Sequence, residues 1–254
     1  MAEPPRIHAT AVVSTDARIA DDVCIGPYAV VGPNVEIAAG CEIGSHCVLK
    51  GPTTLGPRNR IYSFVSVGDD PQDKKYAGED TRLEIGAGNT IREYCTINRG
   101  TAQDAGVTRI GDDNWIMAYA HIAHDCQLGS HIVMANGATL GGHVHVDDHA
   151  MLSAFAAIHQ FCRVGAHCFI GGHAGIQKDV PPYVLVFGQP PKPRGINAEG
   201  LQRRNFSAQQ IRNLKEAYRL LYRSDSLLAD TQAQLTELAA ERPELRVLVE
   251  FIDG

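Results

Sequence analysis

Cut every six residues, positions 110–176 read IGDDNW IMAYAH IAHDCQ LGSHIV MANGAT LGGHVH VDDHAM LSAFAA IHQFCR VGAHCF IGGHAG I. Every block opens on Ile, Leu, Met or Val, from Ile110 to Ile176, with no polar substitution. An α-helix turns every 3.6 residues and would scatter such a repeat around its axis. A short strand followed by a tight corner holds it. In such a unit the aliphatic residue points inward. The residue two before it also points inward but is small, and Gly or polar residues turn the corner. Three units make a triangular coil of 18 residues, and stacked coils pair their backbones at about 4.8 Å. One coil cannot bury its apolar face alone, so stability comes from its neighbours in the stack.

The same phase runs back through Val67, Ile61, Leu55, Leu49 and Ile43 to Ile7, and resumes after a break at Ile85, Ile91 and Ile97. A second break leads into Ile110. The pattern predicts a mainly β chain, a parallel β-helix of roughly ten coils over residues 7 to about 182. The breaks predict excursion loops at about 68–84 and 98–109. The first reads as standing in place of a whole coil. Arms that leave a regular scaffold are where function concentrates.

Pro181, Pro182, Pro190, Pro191 and Pro193 predict an irregular linker, dividing a β-helical domain (1–190) from a helical one (191–254). Ser207-Ala208-Gln209-Gln210 reads as a capping box, with Ile211, Leu214, Tyr218 and Leu221 following at helical spacing. Further helices are expected around Leu227–Glu241 and from Pro243 onward. Between Lys192 and Arg223 basic residues dominate, with only Glu199 and Glu216 opposing them, which fits an acidic or phosphorylated partner.

Composition closes several doors. The net charge of −6 argues against a nucleic-acid binder. No run approaches the 18 or so apolar residues of a membrane span. Met1-Ala2-Glu3-Pro4-Pro5 carries no secretory pattern, so a cytoplasmic protein is expected. Six of the seven cysteines (Cys41, Cys47, Cys95, Cys126, Cys162, Cys168) occupy the small inward slot, which elsewhere holds mostly Ala or Val. They read as packing residues and not as metal ligands.

The histidines avoid both inward slots. His121 and His145 precede an aliphatic position and face outward; His124 and His143 fall at corners. His8, His46, His131, His149, His167 and His173 read as scattered surface residues. Because 18 residues advance one layer, Gly142 is expected over His124 and Gln160 over Gly142, with His143 and His159 beside that column. Histidine is the natural general base near neutral pH. Asp125 could orient the His124 ring, and a Gly corner one layer up can offer its N–H to an oxyanion. No Ser or Cys nucleophile stands in the column, which favours direct transfer over a covalent enzyme intermediate.

Several longer segments carry a resemblance. They are Gly68-Asp69-Asp70-Pro71-Gln72-Asp73, Lys75-Tyr76-Ala77-Gly78-Glu79, His121-Ile122-Ala123-His124-Asp125-Cys126, His159-Gln160-Phe161-Cys162, Asp179-Val180-Pro181-Pro182-Tyr183, Glu199-Gly200-Leu201 and Arg203-Arg204-Asn205-Phe206. In these the chain resembles the bacterial UDP-N-acetylglucosamine O-acyltransferases, the first enzymes of lipid A synthesis. The resemblance implies a left-handed β-helix, opposite to the usual crossover hand, and a homotrimer with active sites between prisms. It implies transfer of an (R)-3-hydroxyacyl chain from acyl carrier protein to the glucosamine 3-hydroxyl of UDP-N-acetylglucosamine. No cofactor is needed beyond the carrier's own phosphopantetheine, and no metal. His124 would be the general base, Asp125 its partner and the Gly142 N–H the oxyanion donor. Gln72, Asp73 and Lys75 would contact the sugar nucleotide, with His121, His143, His159 and Gln160 lining the cleft. Asn197, Glu199, Arg203 and Arg204 match positions that hold the nucleotide or the phosphopantetheine region. Gly172 falls where acyl-chain length is set, and a glycine there favours a longer chain. Two alternatives share the prism: a metal-dependent hydratase using His121, His124 and His143, and a non-catalytic assembly subunit.

Overall fold

A computed structural model describes residues 6–224 and 227–254. Met1–Pro5, read above for a targeting signal, lie outside the described residues, as do Asp225 and Ser226 within the segment expected to connect helices. Most strands are two residues long, an outward residue followed by the inward aliphatic one, as in Val30–Val31, His121–Ile122 and Thr139–Leu140. They build three sheets, of nine, eight and ten strands among the described residues, parallel throughout except for the last edge strand of the third, wound as a left-handed β-helix. Within the 110–176 run, partners are 18 residues apart, as in His121↔Thr139 and Leu140↔Ile158. The aliphatic residues and the cysteines of the small slot form one continuous core, all buried beyond the first coils.

The corners explain how so short a repeat can close. Most turn on a residue at positive φ, and these residues form columns up the prism edges: Tyr94, Tyr119, Phe155 and His173 on one, Asp125, His143 and Phe161 on a second, His131, His149, His167 and Tyr183 on a third. Asn, Asp and His tolerate this backbone region better than most L-residues. The rings stack layer upon layer. His131, His149 and His167 lie 4.8 Å apart, so these are ordered edge columns and not scattered surface histidines.

The small inward slot is not apolar everywhere. Asn59, Asn89 and Asn114 occupy it in successive coils, buried, each side-chain oxygen accepting the backbone N–H of the slot one layer up. Their amides donate to corner carbonyls such as Gly86 O and Gly111 O. A buried polar side chain is stable where both ends are bonded, and the coil stack supplies both partners.

Both breaks insert between adjacent faces of one coil. Val67 still pairs with Ile97, and Leu55 with Ile85, across a gap of 30 residues. The first arm is therefore an addition to a coil and does not replace one. The two insertions use up about one coil's length of chain, which is why nine layers stand where roughly ten were expected.

The proline-rich segment is also more ordered than expected. Val184–Phe187 continues the parallel sheet, and Lys192–Ile196 folds back antiparallel as its edge strand. Proline is tolerated at a sheet edge because no ladder partner needs its missing N–H. Four helices follow: α1 (Ala198–Arg203), α2 (Ala208–Arg223), α3 (Leu228–Glu241) and α4 (Arg246–Asp253). The Ser207–Gln210 capping box opens α2 as predicted. The helices close the upper part of the prism: Ile211, Leu214, Leu245 and Leu248 join the core, and Arg163 lies 4.2 Å from the Phe251 ring centre.

Candidate active site

His124 and Asp125 form the corner between the strands His121–Ile122 and Gln127–Leu128. Asp125 takes the positive-φ position, which turns its carboxylate back beneath the corner. There it is 1% exposed. Its Oδ2 lies 2.8 Å from His124 Nδ1 and accepts the Thr101 hydroxyl at 2.6 Å; Oδ1 accepts the Thr101 backbone N–H at 2.9 Å. The Asp125 N–H in turn donates to Thr108 Oγ1 at 2.8 Å. Burial by itself would raise the carboxyl's pKa. The bonds from His124 and Thr101 outweigh it and hold the group below the usual carboxylate range. An anionic Asp125 fixes the His124 proton on Nδ1 and leaves Nε2 as the free acceptor.

Gly142 rests on that ring. A Cβ added there would come 2.6 Å from His124 Cε1 and 2.7 Å from Nε2, so glycine is required for the imidazole to lie where it does. Among the described residues the Gly142 N–H finds no backbone or side-chain acceptor, although its neighbours Gly141 and His143 both donate within the stack. An unpaired donor beside a basic nitrogen is the arrangement an oxyanion hole needs.

His143 stands edge-on to His124, ring centres 5.1 Å apart, and stacks on Phe161 at 4.5 Å. Its Nδ1 pairs with Asp104 at 2.8 Å. His121 lies on the adjoining face, with Nδ1 2.7 Å from Thr96 Oγ1; burial, and then the nearby His124, lower its pKa and favour the neutral ring. His159 and Gln160 are exposed one layer above Gly142, the His159 ring bonded to the Gln160 carbonyl. Thus the column expected from the 18-residue period is assembled.

The residues that secure it were not singled out from the sequence. Thr101 and Asp104 sit on the second excursion, and Thr108 in a small inward slot. Arg99 ties the two excursions together, donating to the Gly68 carbonyl and to Tyr76 and pairing with Asp70. The available signal was the loop itself: an insertion opening one layer below His124 and Asp125 is placed to reach them. On the first excursion Asp73 accepts the Lys75 backbone N–H, and Lys75 and Gln72 project into solvent.

The tail residues do not join this cluster within one chain. Asn197 is buried and spent internally, accepting from Gly200 N and donating to the His167 carbonyl. Glu199 and Arg203 pair with each other, both exposed. Arg204 donates to the His149 carbonyl. The Asn197 and Arg204 contacts lie along the His131–His149–His167 edge, one sheet face away from the Asp125–His143–Phe161 edge. Gly172 is exposed, with only the Ala154 carbonyl near the space of a side chain.

Among the described residues, one group could hold a metal ion by proximity: His124, Asp125 and His143. The nearest thiol, Cys126, is buried, donates to the Gly141 carbonyl and is pushed up to about 12 by burial, which removes it as a nucleophile. Thr101→Val should cost about 1.5–3 kcal/mol near neutral pH, because a buried carboxylate loses a hydroxyl donor. Asp125 titrates lower folded than unfolded, so its stabilisation is present above the ordinary carboxylate range and fades as pH falls through it. Denaturant titrations of both proteins at pH 7 and in acid check this, and a variant gap that stays constant with pH would refute it.

A prism of hexapeptide repeats places the chain in the hexapeptide-repeat class. Residues 16–51 and 108–142 match the family described as bacterial transferase hexapeptide (six repeats), and residues 179–254 match Udp N-acetylglucosamine O-acyltransferase, domain 2. A protein of Thiobacillus denitrificans, named acyl-(acyl-carrier-protein)–UDP-N-acetylglucosamine O-acyltransferase, is 56% identical over 97% of this chain and 95% of its own. One of that name from Herminiimonas arsenicoxydans is 52% identical over 97% and 96%. The structure of LpxA from Acinetobacter baumannii superposes with a TM-score of 0.96 at 44% identity, covering 98% of this chain and 97% of that one. The chain belongs to the acyl-(acyl-carrier-protein)–UDP-N-acetylglucosamine O-acyltransferase family. It is an acyltransferase, which sets aside the hydratase and the non-catalytic subunit.

Proposed function

We propose that this enzyme moves an (R)-3-hydroxyacyl group from acyl carrier protein to the 3-hydroxyl of UDP-N-acetylglucosamine in one direct step, with His124 as general base. The observation that carries this is the unpaired Gly142 N–H lying against a His124 ring whose Nδ1 is held by a buried, Thr101-bonded Asp125. His124 Nε2 takes the hydroxyl proton as the sugar oxygen attacks the thioester carbonyl. The resulting oxyanion accepts from Gly142 N–H. Collapse breaks the C–S bond, and the departing phosphopantetheine sulfur recovers the proton from His124. Every group needed is a side chain or a backbone amide, so no resident cofactor or metal takes part.

Gln72, Asp73 and Lys75 on the first excursion, with His121, His143, His159 and Gln160, are assigned to the sugar nucleotide. Asn197, Glu199, Arg203 and Arg204 lie a sheet face away, so they meet His124 only across the cleft between two copies. This favours the homotrimer. For Asn197 the contribution is through its backbone or through the α1 start it caps, because its side chain is occupied. Arg194, Lys215, Arg219 and Arg223 line a cavity of about 350 Å³ beside Tyr218, a surface suited to the acidic carrier and its phosphate. All seven cysteines are free, and no helix among the described residues is long and apolar enough to cross a membrane, in keeping with a cytoplasmic enzyme.

The test offers the purified enzyme UDP-N-acetylglucosamine with a mixed set of (R)-3-hydroxyacyl carrier proteins, and reads the products by mass spectrometry. The expected product is mono-O-acylated sugar nucleotide with a longer chain dominant, since Gly172 leaves the groove end open. Absence of any acylated nucleotide would overturn the activity; a short-chain product would overturn only the Gly172 assignment.

A further inference from the structure

Two imidazoles converge on one buried carboxylate oxygen. Asp125 Oδ2 is 2.8 Å from His124 Nδ1 and 3.8 Å from His143 Nε2, and one donor atom of each residue falls within 4.8 Å of the other two. Tetrahedral zinc, with bonds near 2.1 Å, needs donors roughly 3.4 Å apart, and the two carboxylate–imidazole separations lie on either side of that value. Two neutral imidazoles and one carboxylate are a donor set zinc accepts readily, with a fourth position left for water.

The groups that would orient these ligands are already in place. Asp104 pairs with His143 Nδ1, which presents the opposite nitrogen, Nε2, to Asp125. A carboxylate on the far nitrogen of a ligating histidine fixes its tautomer and raises its basicity. Phe161 and the edge of His124 hold the same ring from its two other sides. Thr101 secures Asp125 through both oxygens, so the carboxylate need not move to meet an ion. The side chains of His124 and His143 are 15% and 12% exposed, enough to admit an ion from the cleft.

We infer that His124, Asp125 and His143 form an inhibitory zinc(II) site at the catalytic pair. Its occupant is a reversible competitor and not a resident cofactor. A neutral His124 carries one ring proton, and in the active arrangement that proton sits on Nδ1. When zinc bonds to Nδ1, the N–H bond there breaks and the proton is taken up at Nε2, so the ring has no net loss. The Nε2 lone pair that accepts the sugar hydroxyl's proton is thereby consumed. The inhibitory half of this inference rests on the acyl-transfer reading above; the binding half does not.

The experiment titrates the metal-stripped full chain with zinc chloride by calorimetry, with no substrate present, and in parallel follows acyl transfer against zinc. One ion per chain should bind in the low micromolar range. Asp104→Asn should weaken it about 10–100-fold through loss of the outer carboxylate, and His143→Gln should abolish it. Activity should fall over the same zinc range and return with EDTA. Circular dichroism shows that the variants are folded, and Asp104 is half-exposed on a loop, so its variant stands if the other fails. No binding below millimolar zinc, or an isotherm unchanged in the folded variants, overturns the site. Stoichiometric binding with full acyl transfer overturns the inhibition. If the metal-free enzyme transfers no acyl group at all, the proposed function fails while the isotherm still decides the site.

Discussion

His124→Ala should lower acyl transfer by about 10²–10⁴-fold, the range for loss of a positioned general base. The prism should still assemble, although the buried Asp125 carboxylate loses one partner, as it does in Thr101→Val. His124 sits at a corner outside both inward slots, and its side chain makes one hydrogen bond, to Asp125. The cost should fall on kcat, because the ring acts on the hydroxyl proton in the transition state and contributes little to ground-state affinity. Steady-state kinetics with size-exclusion chromatography of the variant decides the matter. Near-normal turnover from a correctly assembled protein would remove His124 as the base and with it the mechanism.

Gly142→Ala should come next, with a loss of about 10²–10³-fold, typical of disabling one oxyanion donor. The physical cause is local. The new methyl would overlap the His124 ring at 2.6–2.7 Å, and a side chain yields more easily than backbone. The imidazole therefore swings away, separating the base from the donor without disturbing the prism. Gly142 itself is not at positive φ, so no backbone strain is added. Thermal stability should stay close to that of the parent while kcat collapses. A variant that loses stability and activity together would indicate packing damage instead. Full activity would show that the N–H and the ring need not be adjacent.

The same contrast between scaffold and exception governs how much could be read from residues alone. Ile110, Ile116 and Ile122 announce a coil because a period of six suits one backbone geometry, and each such residue meets its counterpart one turn on. Gly142 over His124 follows from the same arithmetic. Asn59, Asn89 and Asn114 escaped it: in sequence they interrupt an apolar slot, and only the backbone N–H one layer up and the corner carbonyls make them a ladder. The edge strand Lys192–Ile196 escaped for the opposite reason, since its prolines argue against a strand until an edge position is known.

What the sequence determined by itself was the prism and the placing of Gly142 over His124, because both repeat with chain position and local geometry fixes them. What the tertiary structure decided was the state of the His124 ring. Thr101 and Asp104 are separated from Asp125 and His143 by 24 and 39 residues, on an insertion whose path no period describes. Only the folded loop brings a hydroxyl and an amide to Asp125 and a carboxylate to His143. Those contacts set which nitrogen of each histidine is free, and that choice separates a working base from an imidazole on a surface.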